Sequence, residues 1–176
     1  RYANTEMGLA MPSVADERRH AVGEMQKLLY CWAHGHLGVL LYSSRELWWP
    51  RQFSYGGISD YGFVDHFFCP RFAYGAASAL IDRYAGARFE RILVESEDLH
   101  AYAFRRGEET LVAVFSAEEP LDVVLSSDSA KATLIDPMGN EAPVAHGGDV
   151  SLQAGAYPQT ARLLRTSRIR IARTGP

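Results

Sequence analysis

Two cysteines in 176 residues, Cys31 and Cys69, give no disulfide framework to read, and each is expected to act as a small buried hydrophobe. A basic surplus is also missing. With 18 Lys and Arg against 21 Asp and Glu, the net charge of -3 argues against a nucleic-acid partner held through phosphate contacts, which needs a basic face. Arg165, Arg168, Arg170 and Arg173 depart from that balance, and residues 167–176 are expected to form a basic, solvated tail. No apolar run approaches the roughly 20 residues of a membrane span, and no repeat or low-complexity segment is present. Metal-ligand spacing is absent too. His34 and His36 form a His-x-His pair, but at a helix-to-strand turn they read as surface or capping residues, and His66, His100 and His146 are scattered. No metal and no cofactor are expected. Arg1 stands where a gene product would carry methionine, so the expectation is of a start farther upstream, which leaves localisation open.

What is present is apolar mass. At 47% hydrophobic and 11% aromatic the chain can bury a core, as one large or two small domains. Periodicity changes near Gly86. Before it, "SVADERRHAVGEMQKLLYCWAHG" reads as a helix, with Ser13 as its cap and acidic residues in its first turn. Its apolar face is Val22, Met25, Leu29 and Trp32, and Gly35 stops it. "LGVLLYS", Leu37 to Ser43, is a continuous apolar run of strand length, the pattern of a strand covered on both sides. Pro70 opens a second helix with Ala73, Ala77, Leu80, Ile81 and Tyr84 on its apolar side and Gly86 at its end. Counting "YANT" before the first helix, the order is strand, helix, strand, helix, with the two strands parallel and adjacent.

After Gly86 the period is two. "LHAYAFRR" and "TLVAVFS" flank "GEE" as a hairpin. "LDVVLS", "KATLIDP", "APVAH", "DVSLQ" and "TARLLR" follow as short strands between turn residues. Six to eight antiparallel strands in about eighty residues predict a small β-sandwich. Tyr102, Phe104 and Phe115 fall within strands and Tyr157 in a turn, so these aromatics are assigned to packing.

Glu6 stands between "YANT" and the first helix, where a βα unit places its chemistry. Thr5-Glu6-Met7-Gly8, then "LLYCWAHG", "GVLLYSS" leading to "ELWW", and "SDYGFVDHFFCPRFAYGAASALIDRYAGARF" resemble, in that order, the last part of the clan A glycoside hydrolases. These are the retaining (β/α)8-barrel glycosidases, some of which carry a β-sandwich after the barrel. "LHAYAFRRGEETLVAVFS" and "ATLIDPMGNE", with its Asp-x-x-Gly-Asn turn, are similar to strands of that appended domain. The resemblance covers residues 2 to about 165. It implies an α/β plus all-β chain: residues 1–86 the last two βα units of a barrel, 87–166 a β-sandwich, and 167–176 the tail.

In that family the glutamate ending the seventh strand is the nucleophile, a role the resemblance gives to Glu6. A retaining glycosidase needs a second carboxylate about 5 Å away to protonate the leaving oxygen and later activate water. The family carries it at the end of the fourth strand, which has no counterpart here. Glu46 is the other carboxylate on a presumed strand-end loop, with a salt bridge to Arg45 or Arg51 as its alternative role. Trp48 and Trp49 share a loop with Phe53, Tyr55 and Tyr61, and an exposed indole offers a sugar ring a flat apolar face and one donor. Two βα units cannot close a barrel, since edges stay open on each side. The implied partners are a carbohydrate substrate and the remainder of the barrel. The alternative is a non-catalytic β-sandwich module that packs on a barrel or binds carbohydrate.

Overall fold

The computed structural model describes residues 2–7, 17–41, 62–64, 68–117, 119–144 and 148–174, with backbone alone for 2–7 and 37–41. They form two helices and eleven strands, and the chain divides into two compact units, residues 1–79 and 80–176, with the division inside the second helix.

In the first unit β1 (Tyr2–Met7) is followed by α1 (Glu17–Ala33), β2 (His36–Leu41) and the start of α2 (Phe72–Tyr84). β1 and β2 pair in parallel, with Tyr2 opposite His36 and Met7 opposite Leu41. α1, about 25 Å long for its 17 residues, returns the chain from the carboxyl end of β1 to the amino end of β2. Gly35 and Gly86, both at φ 72°, end the two helices in the left-handed conformation that costs a glycine least.

The buried face of α1 differs from the expected one. Met25 and Leu29 are buried, but Val22 and Trp32 are only half-buried, and His20 and Glu24 lie inside at 1% exposure each. His20 Nε2 is 3.9 Å from Glu24 Oε1, which lies 3.9 Å from Lys27 Nζ. α2 shows a similar exchange. Ala73, Ala77, Leu80 and Tyr84 are buried as expected, yet Ile81 is 48% exposed and Arg83 is buried in its stead. Pro70 precedes the helix by two residues and makes an isolated bridge with Val64. Cys31 is buried, but Cys69 is exposed, against expectation.

The second unit holds β3 (Arg88–Glu95), β4 (Leu99–Arg106), β5 (Glu109–Ser116), β6 (Leu121–Ser127), β7 (Ala132–Ile135), β8 (Glu141–Val144), β9 (Asp149–Ala154), β10 (Gln159–Leu164) and β11 (Ile169–Arg173). Nine strands exceed the expected six to eight. The additions are the edge strands β3 and β11. One sheet runs β3-β4-β5-β10-β7-β8 and the other β11-β6-β9, and each pairing is antiparallel. Leu99, Ala101, Val112, Val114, Ala161 and Leu163 from the first sheet share one apolar core with Val123, Leu125, Val150, Leu152 and Ile169 from the second.

β11 replaces the expected solvated tail. Ile169 is buried in the core, and the strand pairs along β6 from Ile169–Ser127 to Arg173–Val123. The approach to it is held by Asp128, whose carboxylate accepts the hydroxyls of Thr166 (2.5 Å) and Ser167 (2.5 Å) and the backbone N–H groups of Ser167 (2.8 Å) and Arg168 (3.0 Å). Arg173 pairs with Asp98 at the far end.

The face of the six-stranded sheet turned away from that core is also apolar. Tyr102, Phe104, Leu111 and Phe115 are buried there, and the last turn of α2 rests on it. The Tyr84 ring meets Phe104 edge-on at 4.9 Å, and its hydroxyl lies 3.0 Å from Thr160 Oγ1. Arg83 donates to the same Thr160 oxygen (3.2 Å) and to the Asp136 carbonyl (2.6 Å). Burial draws the Arg83 guanidinium below its ordinary value, while Tyr84, Asp136 and Glu141 push it back up.

Candidate active site at the strand ends

Glu6 occupies the last turn of backbone in β1, one residue before the Met7–Leu41 pair. Because the strands are parallel, this is also the end from which the chain leaves β2 for residues 42–61. Trp48, Trp49 and Glu46 lie in that stretch, outside the described residues, as do His66 and His146. His34 and His36 belong to the opposite end, since His36 pairs with Tyr2. The His34 ring packs on Tyr30 at 4.1 Å. Among the described residues no three His, Cys, Asp or Glu side chains gather as a ligand set.

α1 runs back from the carboxyl ends of the strands, so its first turn stands on the Glu6 side of the unit. Side chains from that turn and from the approach to α2 meet there, and they were not legible as a group in the sequence. Glu17 Oε1 accepts the backbone N–H of Phe72, the first residue of α2, at 2.6 Å. The Arg18 guanidinium carbon is 5.9 Å from the centre of the Phe72 ring. The rings of His20 and Phe63 are 5.9 Å apart. Burial, then Arg71 and Lys27, lower the proton affinity of His20, and Glu17 works against them, so the imidazole is held neutral at ordinary pH. Burial likewise lowers the Arg71 guanidinium, countered by Glu17. An acidic residue in a first turn ordinarily reads as serving its own helix. The only sequence hint of a second role for Glu17 is that Pro70 places another helix start nearby in the topology.

The second unit offers two polar groupings. At the edge of the six-stranded sheet Tyr102 donates to Glu95 Oε2 (2.9 Å), and His100 Nδ1 is 3.2 Å from the same hydroxyl. The His100 ring stacks on Phe115 at 5.0 Å, and burial lowers its proton affinity while Glu95 and Asp98 raise it. An open cavity of about 210 Å³ is lined by residues including Ile135, Asp136, Asn140, Glu141 and Gln159. Its carboxylates are engaged locally: Asp136 accepts from the Met138 and Asn140 backbone and the Asn140 amide, and Glu141 holds Arg162 through two bonds of 2.8 and 2.6 Å. Of the aromatics in this unit, Tyr102, Phe104 and Phe115 are buried, Tyr157 is half-buried and Phe89 is 38% exposed.

No family model matches the chain, and a search of curated proteins finds no match. Solved structures do match. The fold is similar to that of a family 39 glycoside hydrolase from the gut symbiont Bacteroides cellulosilyticus WH2, at a TM-score of 0.72 and 18% identity, over 90% of this chain. It is also similar to a GH30 endoxylanase from Clostridium papyrosolvens C71 (TM-score 0.56, 8% identity, 91% of this chain) and to an Anoxybacillus alpha-amylase (0.54, 14%, 93%). At these identities the likeness is one of fold. The chain spans 33%, 41% and 37% of those three proteins, so it corresponds in fold to a portion of each.

Proposed function

We propose that this chain is the C-terminal portion of a retaining glycoside hydrolase, with residues 1–86 contributing the last two βα units of a (β/α)8 barrel and residues 87–166 a β-sandwich. Glu6 is the nucleophile, and Trp48 and Trp49 form a platform for a sugar ring. The observation that carries this reading is the parallel register of β1 and β2, which puts the position of Glu6 and the exit toward the tryptophans at one end of the sheet. The fold likeness to longer glycoside hydrolases, of which this chain spans 33–41%, supports it.

In this reading the ionised Glu6 carboxylate attacks the anomeric carbon as the glycosidic bond breaks, and the leaving oxygen takes a proton from a second carboxyl group supplied outside these 176 residues. That second group then removes a proton from water. The water oxygen attacks the anomeric carbon, the bond to Glu6 breaks, and two inversions yield retention. Glu6 must stay ionised throughout, so its site has to supply donors and avoid an apolar enclosure.

The test is made in a polypeptide that joins this chain to the rest of a barrel. Glu6→Gln should lower turnover by several powers of ten, each about 1.4 kcal/mol of barrier, with substrate binding retained. Glu6→Ala with azide and an activated glycoside should yield a glycosyl azide of inverted configuration, the anion filling the space of the missing carboxylate. Near-normal hydrolysis by either variant means that the nucleophile is elsewhere.

A further inference from the structure

β3 lies at one edge of the six-stranded sheet, and among the described residues it pairs along one side only, with β4. Its first five residues, Arg88 to Ile92, are exposed. Open edges usually carry charges and bulges that keep foreign strands away. β3 has both, in a particular arrangement. Phe89 stands opposite Phe104 and Ile92 opposite Tyr102, which are two residues apart on one face of β4. The irregularity between Phe89 and Arg91 therefore brings Phe89 and Ile92 to the same face, although they are three apart in the chain and a regular strand would turn them to opposite faces. Both side chains stay in solvent, at 38% and 43% exposure. Between them lie Glu90, whose carboxylate is 3.3 Å from Arg105 of β4, and Arg91, for which no acidic partner is found among the described residues.

Phe89 to Ile92 thus reads apolar, acid, base, apolar, an order that is its own complement when reversed. Paired antiparallel about a two-fold axis with Glu90 opposite Arg91, two copies of this stretch set Phe89 opposite Ile92 twice and Glu90 opposite Arg91 twice. A shift of one residue either way sets Glu90 opposite Glu90 or Arg91 opposite Arg91, and like charges directly opposite are unfavourable.

We propose that the outer edge of β3 is a self-association surface, on which a second copy of this chain adds its own β3 in that register and joins two six-stranded sheets edge to edge. The charges that turn away unrelated strands then select this partner and this alignment. The inference is independent of the role given to Glu6. An edge of eight residues buries an area in the transient class, below about 1,200 Å², so the dimer is a weak one.

Sedimentation equilibrium of the 176-residue chain tests it. The apparent mass should rise from that of one chain toward that of two between about 5 and about 500 μM, the range in which a weak interface assembles. Arg91→Glu sets acids opposite acids across the axis, and Glu90→Arg sets bases opposite bases, so each variant alone should dimerise about tenfold more weakly. An equimolar mixture of the two variants restores both opposite-charge pairs and should associate to within about threefold of the parent. A parent chain that stays monomeric throughout refutes the second copy as occupant of this edge. A dimer that ignores both charge swaps, or a mixture no better than its components, refutes the β3 pairing. Should either variant not fold, hydrogen exchange on the parent decides: β3 amides should gain protection as concentration rises while those of β8, at the other edge of the sheet, do not, and β3 protection independent of concentration overturns the proposal.

Discussion

Tyr84 gives the fold a specific alkaline sensitivity. Its ring is buried against Phe104 and its hydroxyl is hydrogen-bonded to Thr160 Oγ1. Burial pushes the phenol from its ordinary 10.0 up to about 12, against the opposing pulls of Thr160 and Arg83. The folded-state value is the higher one, so the native state keeps its proton where the unfolded state has lost it. The associated stability is complete below pH 10 and is lost as pH rises toward 12. A shift of that size corresponds to about 3 kcal/mol. Tyr84→Phe removes the titration and one buried hydrogen bond, costing about 0.5–1.5 kcal/mol at pH 8. The variant is thus the less stable form at neutral pH and the more stable one at pH 12, with the two curves crossing between about pH 10 and pH 11. Urea unfolding followed by circular dichroism at half-unit steps from pH 8 to 12 reads both curves, and the difference between them cancels the other titrating groups. Parallel curves across that range would show that the Tyr84 hydroxyl is not buried in the folded state.

Asp128→Ala should release β11, because the carboxylate is the common acceptor for Thr166, Ser167 and Arg168; hydrogen exchange at Ile169 to Arg173 should rise while β4 and β5 keep their protection. Those same bonds hold the Asp128 carboxyl well below the usual carboxylate range, so in the parent chain the anchor is complete above the ordinary aspartate value and is lost only in strong acid. Leu163→Ala, at a fully buried position in the shared core, should lower unfolding stability by about 2–5 kcal/mol in urea titrations. In the barrel-containing enzyme, Trp48→Ala and Trp49→Ala together should raise KM for an oligosaccharide about tenfold or more with the nucleophile intact, and an unchanged KM removes the platform.

Much of this architecture could be read from the chain alone. "DVSLQ" alternates along its length and became β9, Asp149–Ala154, because a strand with one face on a core and the other in water repeats every two residues. The continuous run from Leu37 and the helix between it and "YANT" anticipated a parallel pair, since parallel strands are joined by a crossover and covered on both faces. Gly35 and Gly86 marked both helix ends. Tertiary structure decided what periodicity is blind to. β3 is exposed along most of its length and so carries no alternation, and it is a strand only because β4 offers it hydrogen bonds. In β11 Ile169 and Ile171 do alternate, but four nearby arginines made the segment read as solvated until β6 and Asp128 supplied partners. Arg83 lies inside because Thr160 and the Asp136 carbonyl meet its guanidinium from distant strands, which no pattern of apolar residues reports, and the burial of His20 and Glu24 was no more legible there. The same holds for Glu17. Its place in a first turn was evident from the sequence, but which helix its carboxylate serves depends on a contact across 55 residues.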